Sequence, residues 1–347
     1  MPELKKISVD KGTLQEARKD GMIVSELLEA QDPSSNYVNT PFAKLSALER
    51  QLAIREIPVS GSRAVNLTDF YSGAGGVLYA EYIEQAIREG AAIHPDTALD
   101  ADLCYMLSEI EGKTFQEAKA EFDTDQDVEM KRTAEGDAFS TVTLVLDETN
   151  VSMMKYARKI KFTDEYQRRT RIDQVKTVLN FIGYRMALEF AAQALTAAVN
   201  GNSGESNSAP NTNTAGALTW THLVAFDLAF DPFKSNLWVA PPAMIQKLLS
   251  VSEMIDPLTG QNYQATGKFI TPLGNVLKRS SASILSTTKI LGVDTRFGVR
   301  RIREKGSYMV ETDKIIDGQW NIIAISEYRG YAKDFAGSAR TLTYTAS

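Results

Sequence analysis

Residues 163–201 read TDEYQRRTRIDQVKTVLNFIGYRMALEFAAQALTAAVNG, and this stretch decides the fold. Thr163 can accept a hydrogen bond from a first-turn N–H, and Asp164 and Glu165 sit where the helix dipole favours acids. Ile172, Val175, Leu179, Ile182, Met186 and Phe190 recur at steps of three and four, and Leu195 and Ala198 continue the face. No proline interrupts the run, and Asn200-Gly201 stops it. The spacing predicts one helix of about 35 residues, a rod of roughly 50 Å. That is about three times the usual length. The pattern offers no second helix of that length to pair with it, so the rod reads as a spine crossing a flat subunit.

Upstream of the spine, the period changes to two. Ser140-Thr-Val-Thr-Leu-Val-Leu-Asp147 alternates branched residues, and Lys159-Ile160-Lys161-Phe162 gives a further strand. Asp123, Asp125, Asp127, Glu129, Lys131 and Arg132 gather before the turn signal Glu135-Gly136-Asp137. These features predict a two-stranded excursion with a charged tip. A lone hairpin of that length is marginal in water, so it is expected to lie on another chain. Further upstream, Gly73-Ala74-Gly75-Gly76 leads into a helical pattern from Val77 to Glu89, with Gly90 as its C-cap. Residues 1–70 lack a clear period, apart from an amphipathic stretch at Lys44 to Glu56, and read as an arm with helical pieces.

Downstream, residues 200–216, NGNSGESNSAPNTNTAG, form a polar stretch expected to be an exposed, mobile loop. A short helix over Trp220 to Phe230, a buried strand over Asn236 to Ala240 and a helix opened by Pro241-Pro242 follow. From Ile270 onward short β patterns dominate, so the class is α+β.

Composition narrows the functional classes. The chain has 347 residues and a net charge of −6, which argues against an overall basic nucleic-acid binder. A single cysteine, Cys104, allows neither an intrachain disulfide nor a Cys-rich zinc site. His94 and His222 leave little for histidine chemistry and read as surface or cap residues. The N-terminus lacks an apolar signal core, and apolar runs fall short of the ~18 residues of a membrane span.

Catalytic motifs fail on inspection. Gly112-Lys113-Thr114 resembles the end of a P-loop, but Leu107 replaces its first glycine. Gly73-Ala74-Gly75 opens a dinucleotide fingerprint that Leu78 breaks. Asp123, Asp125 and Asp127 mimic a calcium loop, but Val128 and Ala134 stand where glycine and glutamate are needed. No catalytic, cofactor or metal site is expected. The strongest charge feature is a basic band of Lys155, Arg158, Lys159, Lys161, Arg168, Arg169, Arg171 and Lys176. Its expected partners are Asp123, Asp125, Asp127 and Glu129 of a neighbouring chain.

The order of these parts resembles the HK97-fold major capsid proteins of tailed double-stranded DNA bacteriophages. The resemblance rests on four features: the charged hairpin, the junction Ile160-Lys-Phe-Thr-Asp-Glu165, the spine ending at Ala197-Ala-Val-Asn-Gly201, and the strand–helix pair Asn236-Leu-Trp-Val-Ala-Pro-Pro242. The closing strands Gly306-Ser-Tyr-Met-Val-Glu-Thr312 and Trp320-Asn-Ile-Ile-Ala-Ile-Ser-Glu-Tyr328 complete it, so it covers about residues 70–347. It implies an N-terminal arm at 1–70, a P-domain start at 71–112, an extended E-loop at 113–160 and the P-domain spine helix at 161–200. It also implies an A-domain at 201–295, P-domain return strands at 296–330 and a C-terminal segment, 331–347, returning to the A-domain. As function it implies self-assembly into pentamers and hexamers that close an icosahedral shell around double-stranded DNA. The implied partners are other copies, a portal, and scaffolding or decoration proteins; the implied location is the virion, after assembly in the host cytoplasm. An encapsulin-like compartment holding enzyme cargo, a tail or connector component, and an enzyme with an unrecognised carboxylate site are the alternatives.

Overall fold

A computed structural model describes residues 5–19, 22–59, 61, 63–92, 99–112, 114–121, 143–202, 208–216, 218–255, 269–280, 285–306, 309–315 and 319–345. The chain begins with α1 (Lys11–Lys19), α2 (Val24–Gln31), α3 (Ala47–Ile54) and α4 (Leu67–Ala92). Next come α5 (Leu99–Leu103), β1 (Cys104–Ile110), β2 (Thr114–Glu121), β3 (Thr143–Ser152), β4 (Met154–Thr163), α6 (Asp164–Arg169) and α7 (Ile172–Asn200). Then follow β5 (Asn211–Ala215), α8 (Trp220–Leu228), β6 (Leu237–Ala240), α9 (Pro242–Leu249), β7 (Phe269–Ile270) and β8 (Val276–Arg279). The last strands are β9 (Lys289–Val293), β10 (Val299–Glu304), β11 (Met309–Ile315), β12 (Trp320–Ala332) and β13 (Ala339–Thr345). Two compact units result. The first holds Met1–Ala98, Lys155–Phe190 and Glu304–Tyr328; the second holds Leu99–Met154, Ala191–Arg303 and Arg329–Ser347.

In the first unit the N-terminal segment is part of the core. Ile7, Val24, Leu27, Leu28, Leu48 and Leu52 are buried with Leu67, Phe70 and Ile83 of α4 and Ile172, Val175 and Leu179 of α7. The stretch that reads as an arm therefore packs within its own chain. Short helices hide it in the sequence, since eight residues show barely two turns of period. Ser46 and Glu49 form a reciprocal capping box at the start of α3. Gln51 then pins residues 5–7: its Oε1 accepts from the Ile7 N–H at 3.0 Å and its Nε2 donates to the Lys5 carbonyl at 2.6 Å. Arg50 is fully buried, donating to Asp32, Ser34 and the Leu45 carbonyl, with its guanidinium 4.6 Å from the Tyr37 ring centroid.

The spine is shorter than expected, because the structure breaks it at 170–171. Thr163 caps α6 as expected, its Oγ1 accepting from the Tyr166 N–H at 3.1 Å. Thr170 is then extended, and its carbonyl accepts from the Leu67 N–H at 3.2 Å. Arg171 bridges Asn66, and the Ile172 N–H donates to the Val65 carbonyl at 3.0 Å. Three successive residues thus trade helix bonds for pairing with 65–67. The 29 residues of α7 span about 44 Å. Of the anticipated apolar face, Ile172, Val175, Leu179, Leu195 and Ala198 are buried, whereas Ile182, Met186 and Phe190 are half-buried. Gly90 is not a C-cap. α4 runs on to Ala92, and Gly90 lies against the Asn180 backbone of α7 while Gly183 of α7 lies against the Ile87 carbonyl. The earlier glycine cluster does bend α4, at Gly75, whose φ of 79° and ψ of 161° are not helical.

β4 leaves the expected hairpin and pairs with β12, whose residues from Trp320 to Ser326 also pair antiparallel with β11. The partner of β3 is β2, antiparallel, with a bulge between Gln116 and Ala118.

The second unit is built on a six-stranded sheet of order β5-β13-β9-β6-β8-β7. Alternation along β6 sends Leu237 and Val239 to one face, with Leu291, Val293 and the α7 residues Ala191, Ala194, Leu195 and Ala198. Trp238 and Ala240 face the other side, with Phe226 of α8 and Met244 and Leu248 of α9. Pro242 opens α9, as expected. The polar stretch 200–216 is not all loop. Asn211–Ala215 is an edge strand parallel to β13, and the Asn211 Oδ1 accepts from the hydroxyls of Thr341 and Thr343. Asn202 is buried and exchanges hydrogen bonds with the Lys333 backbone, at 2.7 and 3.2 Å. Polar side chains that hydrogen-bond across an edge need no apolar pattern, so composition alone misreads them. The stretch Asp256 to Gly260, which reads as a turn, lies outside the described residues; of Ala282 to Leu285, which reads as a strand, only Leu285 is described, buried and outside any strand.

Candidate functional site

The basic band falls on β4, α6 and the start of α7. Lys155, Arg158, Lys159, Lys161, Arg168 and Arg169 are exposed; Arg171 and Lys176 are half-buried. Several are already engaged within the chain. Arg169 pairs with Glu165 at 3.0 Å, Arg171 with Asp173 at 2.9 Å and Lys176 with Glu89 at 2.7 Å. The Lys155 ammonium lies 5.6 Å from the Tyr328 ring centroid, and that of Lys161 lies 6.0 Å from the Trp320 ring. The Arg169–Glu165 pair is largely exposed and contributes at most about 1 kcal/mol, so it can yield to another partner. Asp123, Asp125, Asp127 and Glu129 lie outside the described residues.

A cavity of about 390 Å³ opens in the first unit, beside the band. Tyr71 and Tyr79 of α4, Asp164 and Arg168 of α6, Asp313 of β11 and Asn321 of β12 contribute to its wall. The Asn321 side-chain amide donates to the Asp164 carboxylate at 2.6 Å and to the Gln167 amide oxygen at 2.8 Å, which holds α6 against the strand. Tyr79 is 3% exposed, and its buried hydroxyl has no hydrogen-bond partner among the described residues. An unmade hydrogen bond of this kind costs about 1–3 kcal/mol. Burial holds that phenol above its ordinary range.

Two carboxylates of α4 are buried under the N-terminal helices. Glu81 accepts from the Ser25 N–H of α2 at 2.9 Å, and Glu84 pairs with Arg88 at 2.8 Å. Burial pushes both up; Glu84 reaches about 7, helped by the Glu81 charge and opposed by Arg88. A raised folded-state pKa means that the stability from the protonated group is complete below its unfolded value of 4.5 and is lost as pH rises through about 7. Glu84→Gln should therefore melt above wild type at about pH 8 and close to it at about pH 4.5. A melting difference that stays constant across this range would contradict the assignment.

Of the rejected motif positions, Lys113 and the stretch from Asp123 to Ala134 lie outside the described residues. The kink at Gly75 replaces the dinucleotide turn, and His222 sits at the start of α8 with its Nδ1 3.1 Å from the Thr219 hydroxyl. His94 lies outside the described residues. Cys104 is half-buried, and burial pushes its thiol up, away from reactivity. Among the described residues no group of three or more His, Cys, Asp or Glu could hold a metal ion, and no helix is long and apolar enough to cross a membrane.

The β2–β3 pair completes the geometry. Among the described residues these strands pair only with each other, and Phe115 and Val151, at one end of the pair, pack with Met153, Ile302 and Ala332. A family model described as phage capsid protein matches residues 147–336, from the end of this pair through the spine to the last turn before β13. The chain belongs to this phage capsid protein family. The capsid protein finds no sequence match among curated proteins. Its fold is similar to the capsid of a native GTA particle, at 13% identity and a TM-score of 0.54, over 74% of this chain and 92% of that one. A phage-related protein of Bordetella bronchiseptica RB50 aligns at 11% identity and a TM-score of 0.50, over 75% and 95%. The capsid of cyanophage P-SCSP1u aligns at 16% identity and a TM-score of 0.49, over 71% and 88%. The capsid protein thus has the HK97-like α+β fold that its order of parts suggested. The Tyr79 cavity left no signal in the sequence, because its lining comes from four elements spread over more than 250 residues.

Proposed function

We propose that copies of this capsid protein form pentamers and hexamers that close an icosahedral shell around double-stranded DNA in the virion. The β2–β3 pair is the observation that carries the reading. Two strands that among the described residues pair only with each other are marginal alone and need a neighbouring subunit. In this reading 113–160 is the E-loop, 161–200 and 296–330 belong to the P-domain, and 201–295 with 331–347 form the A-domain. Its task is structural, without catalysis; a portal and scaffolding or decoration proteins join it, and assembly takes place in the host cytoplasm. Nuclease-protected double-stranded DNA in purified particles supports the proposal; enzyme cargo in place of DNA would turn it to a compartment shell.

The basic band sets register by pairing with the acidic segment 123–129 of a neighbouring copy. Reversing Arg158 and Lys159 to glutamate should leave the subunit's melting temperature unchanged and slow assembly about tenfold at low salt, the gap narrowing as salt rises. Light scattering reads both, and Asp125→Lys on that background should restore the rate. Wild-type assembly by the reversed variant at low salt would remove the band from the interface.

A further inference from the structure

The Tyr79 cavity has a chemistry of its own. Its wall carries two carboxylates, Asp164 and Asp313, against one guanidinium, Arg168, which is exposed and able to swing into solvent. The two tyrosines stand edge-on, with ring centroids 5.2 Å apart, and Tyr71 is half exposed. Ile322 and Ile323 supply an apolar floor. The Tyr79 hydroxyl is left with an unmet hydrogen bond. A volume of about 390 Å³ lies within the range of ligand-binding pockets.

We infer that this cavity receives a lysine or arginine side chain from a second copy of the chain. An aliphatic stem suits the isoleucines and the tyrosine rings, while the cationic head suits the carboxylates and the ring faces. Its N–H groups can donate to the Tyr79 oxygen. An acidic side chain would meet two like charges. A second copy is the source because charge is complementary on the chain's own surface: β4 exposes Lys155, Arg158, Lys159 and Lys161. The inference rests on the reading that copies assemble, and it adds a second acidic receptor to the 123–129 segment.

Cryo-electron microscopy of particles formed by the full chain tests it, together with assembly rates of Tyr79→Phe and Asp313→Asn. Density for a neighbouring copy's lysine or arginine in the cavity is expected. Tyr79→Phe should slow assembly several-fold while the unassembled subunit melts at or above the wild-type temperature, because an unpaired hydroxyl has gone. Asp313→Asn should slow assembly as well. Particles whose cavity holds water or the chain's own Arg168, or variants that both assemble at the wild-type rate, overturn the inference and leave the shell reading standing. Wild-type protein that forms no particles overturns the shell reading, and this inference with it.

Discussion

Gly183→Ala is expected to abolish cooperative folding of the first unit. A Cβ at Gly183 would stand 1.9 Å from the Ile87 carbonyl oxygen and 2.8 Å from its carbon. Gly90 makes the reciprocal approach, where a Cβ would stand 2.0 Å from the Asn180 carbonyl oxygen. These obstacles are backbone and cannot rotate away, so α4 and α7 must part. Parting exposes buried Ile83, Ile87, Val175 and Leu179. Overpacking alone costs about 1–3 kcal/mol, and separating two helices adds to that, against a total stability of about 5–15 kcal/mol. Gly76→Ala is the comparison: its Cβ would meet only the Tyr71 side chain, 3.7 Å from the hydroxyl and 3.9 Å from Cε2, and alanine is the better helix former. Circular dichroism melts of the two variants should differ widely. Equal melting temperatures would mean that the helices do not touch at Gly183.

Arg50→Leu should have the second largest effect. The side chain is fully buried, and its removal leaves Asp32, itself 4% exposed, with a buried charge and only the Tyr37 hydroxyl at 3.0 Å among these partners. Breaking a buried ion pair from one side costs about 3–5 kcal/mol. Removing both charges, as Arg50→Leu with Asp32→Leu, should recover part of that loss, because no uncompensated carboxylate remains. Denaturant titration measures both. A single variant within about 0.5 kcal/mol of wild type would show that the N-terminal segment contributes little to the core.

The parts of the fold legible in the sequence are those whose local pattern and tertiary environment agree. The buried steps from Ile172 to Leu179, the strand Leu237–Ala240 and the proline-opened α9 are such parts. Where tertiary contacts override the pattern, the sequence carries no mark. The helical period continues through Thr170 and Arg171, yet backbone pairing with 65–67 breaks the rod there. Gly90 resembles a helix stop, and its real constraint comes from α7 some 90 residues away. Arg50 and Asp32 look like surface charges until their mutual burial is seen. The same division holds for the functional surface. The band from Lys155 to Lys176 is legible because charge density needs no partner to be noticed. The engagement of Arg169, Arg171 and Lys176 with nearby acids, and the unsatisfied Tyr79 hydroxyl, depend on geometry alone.

Electron microscopy of the purified full chain shows whether its copies close a shell. Closed particles of uniform size are expected, with pentamers and hexamers in the reconstruction and the β2–β3 strands of each copy lying on a neighbour. Monodisperse single subunits under every assembly condition, or particles in which β2–β3 touches only its own chain, would contradict the shell reading.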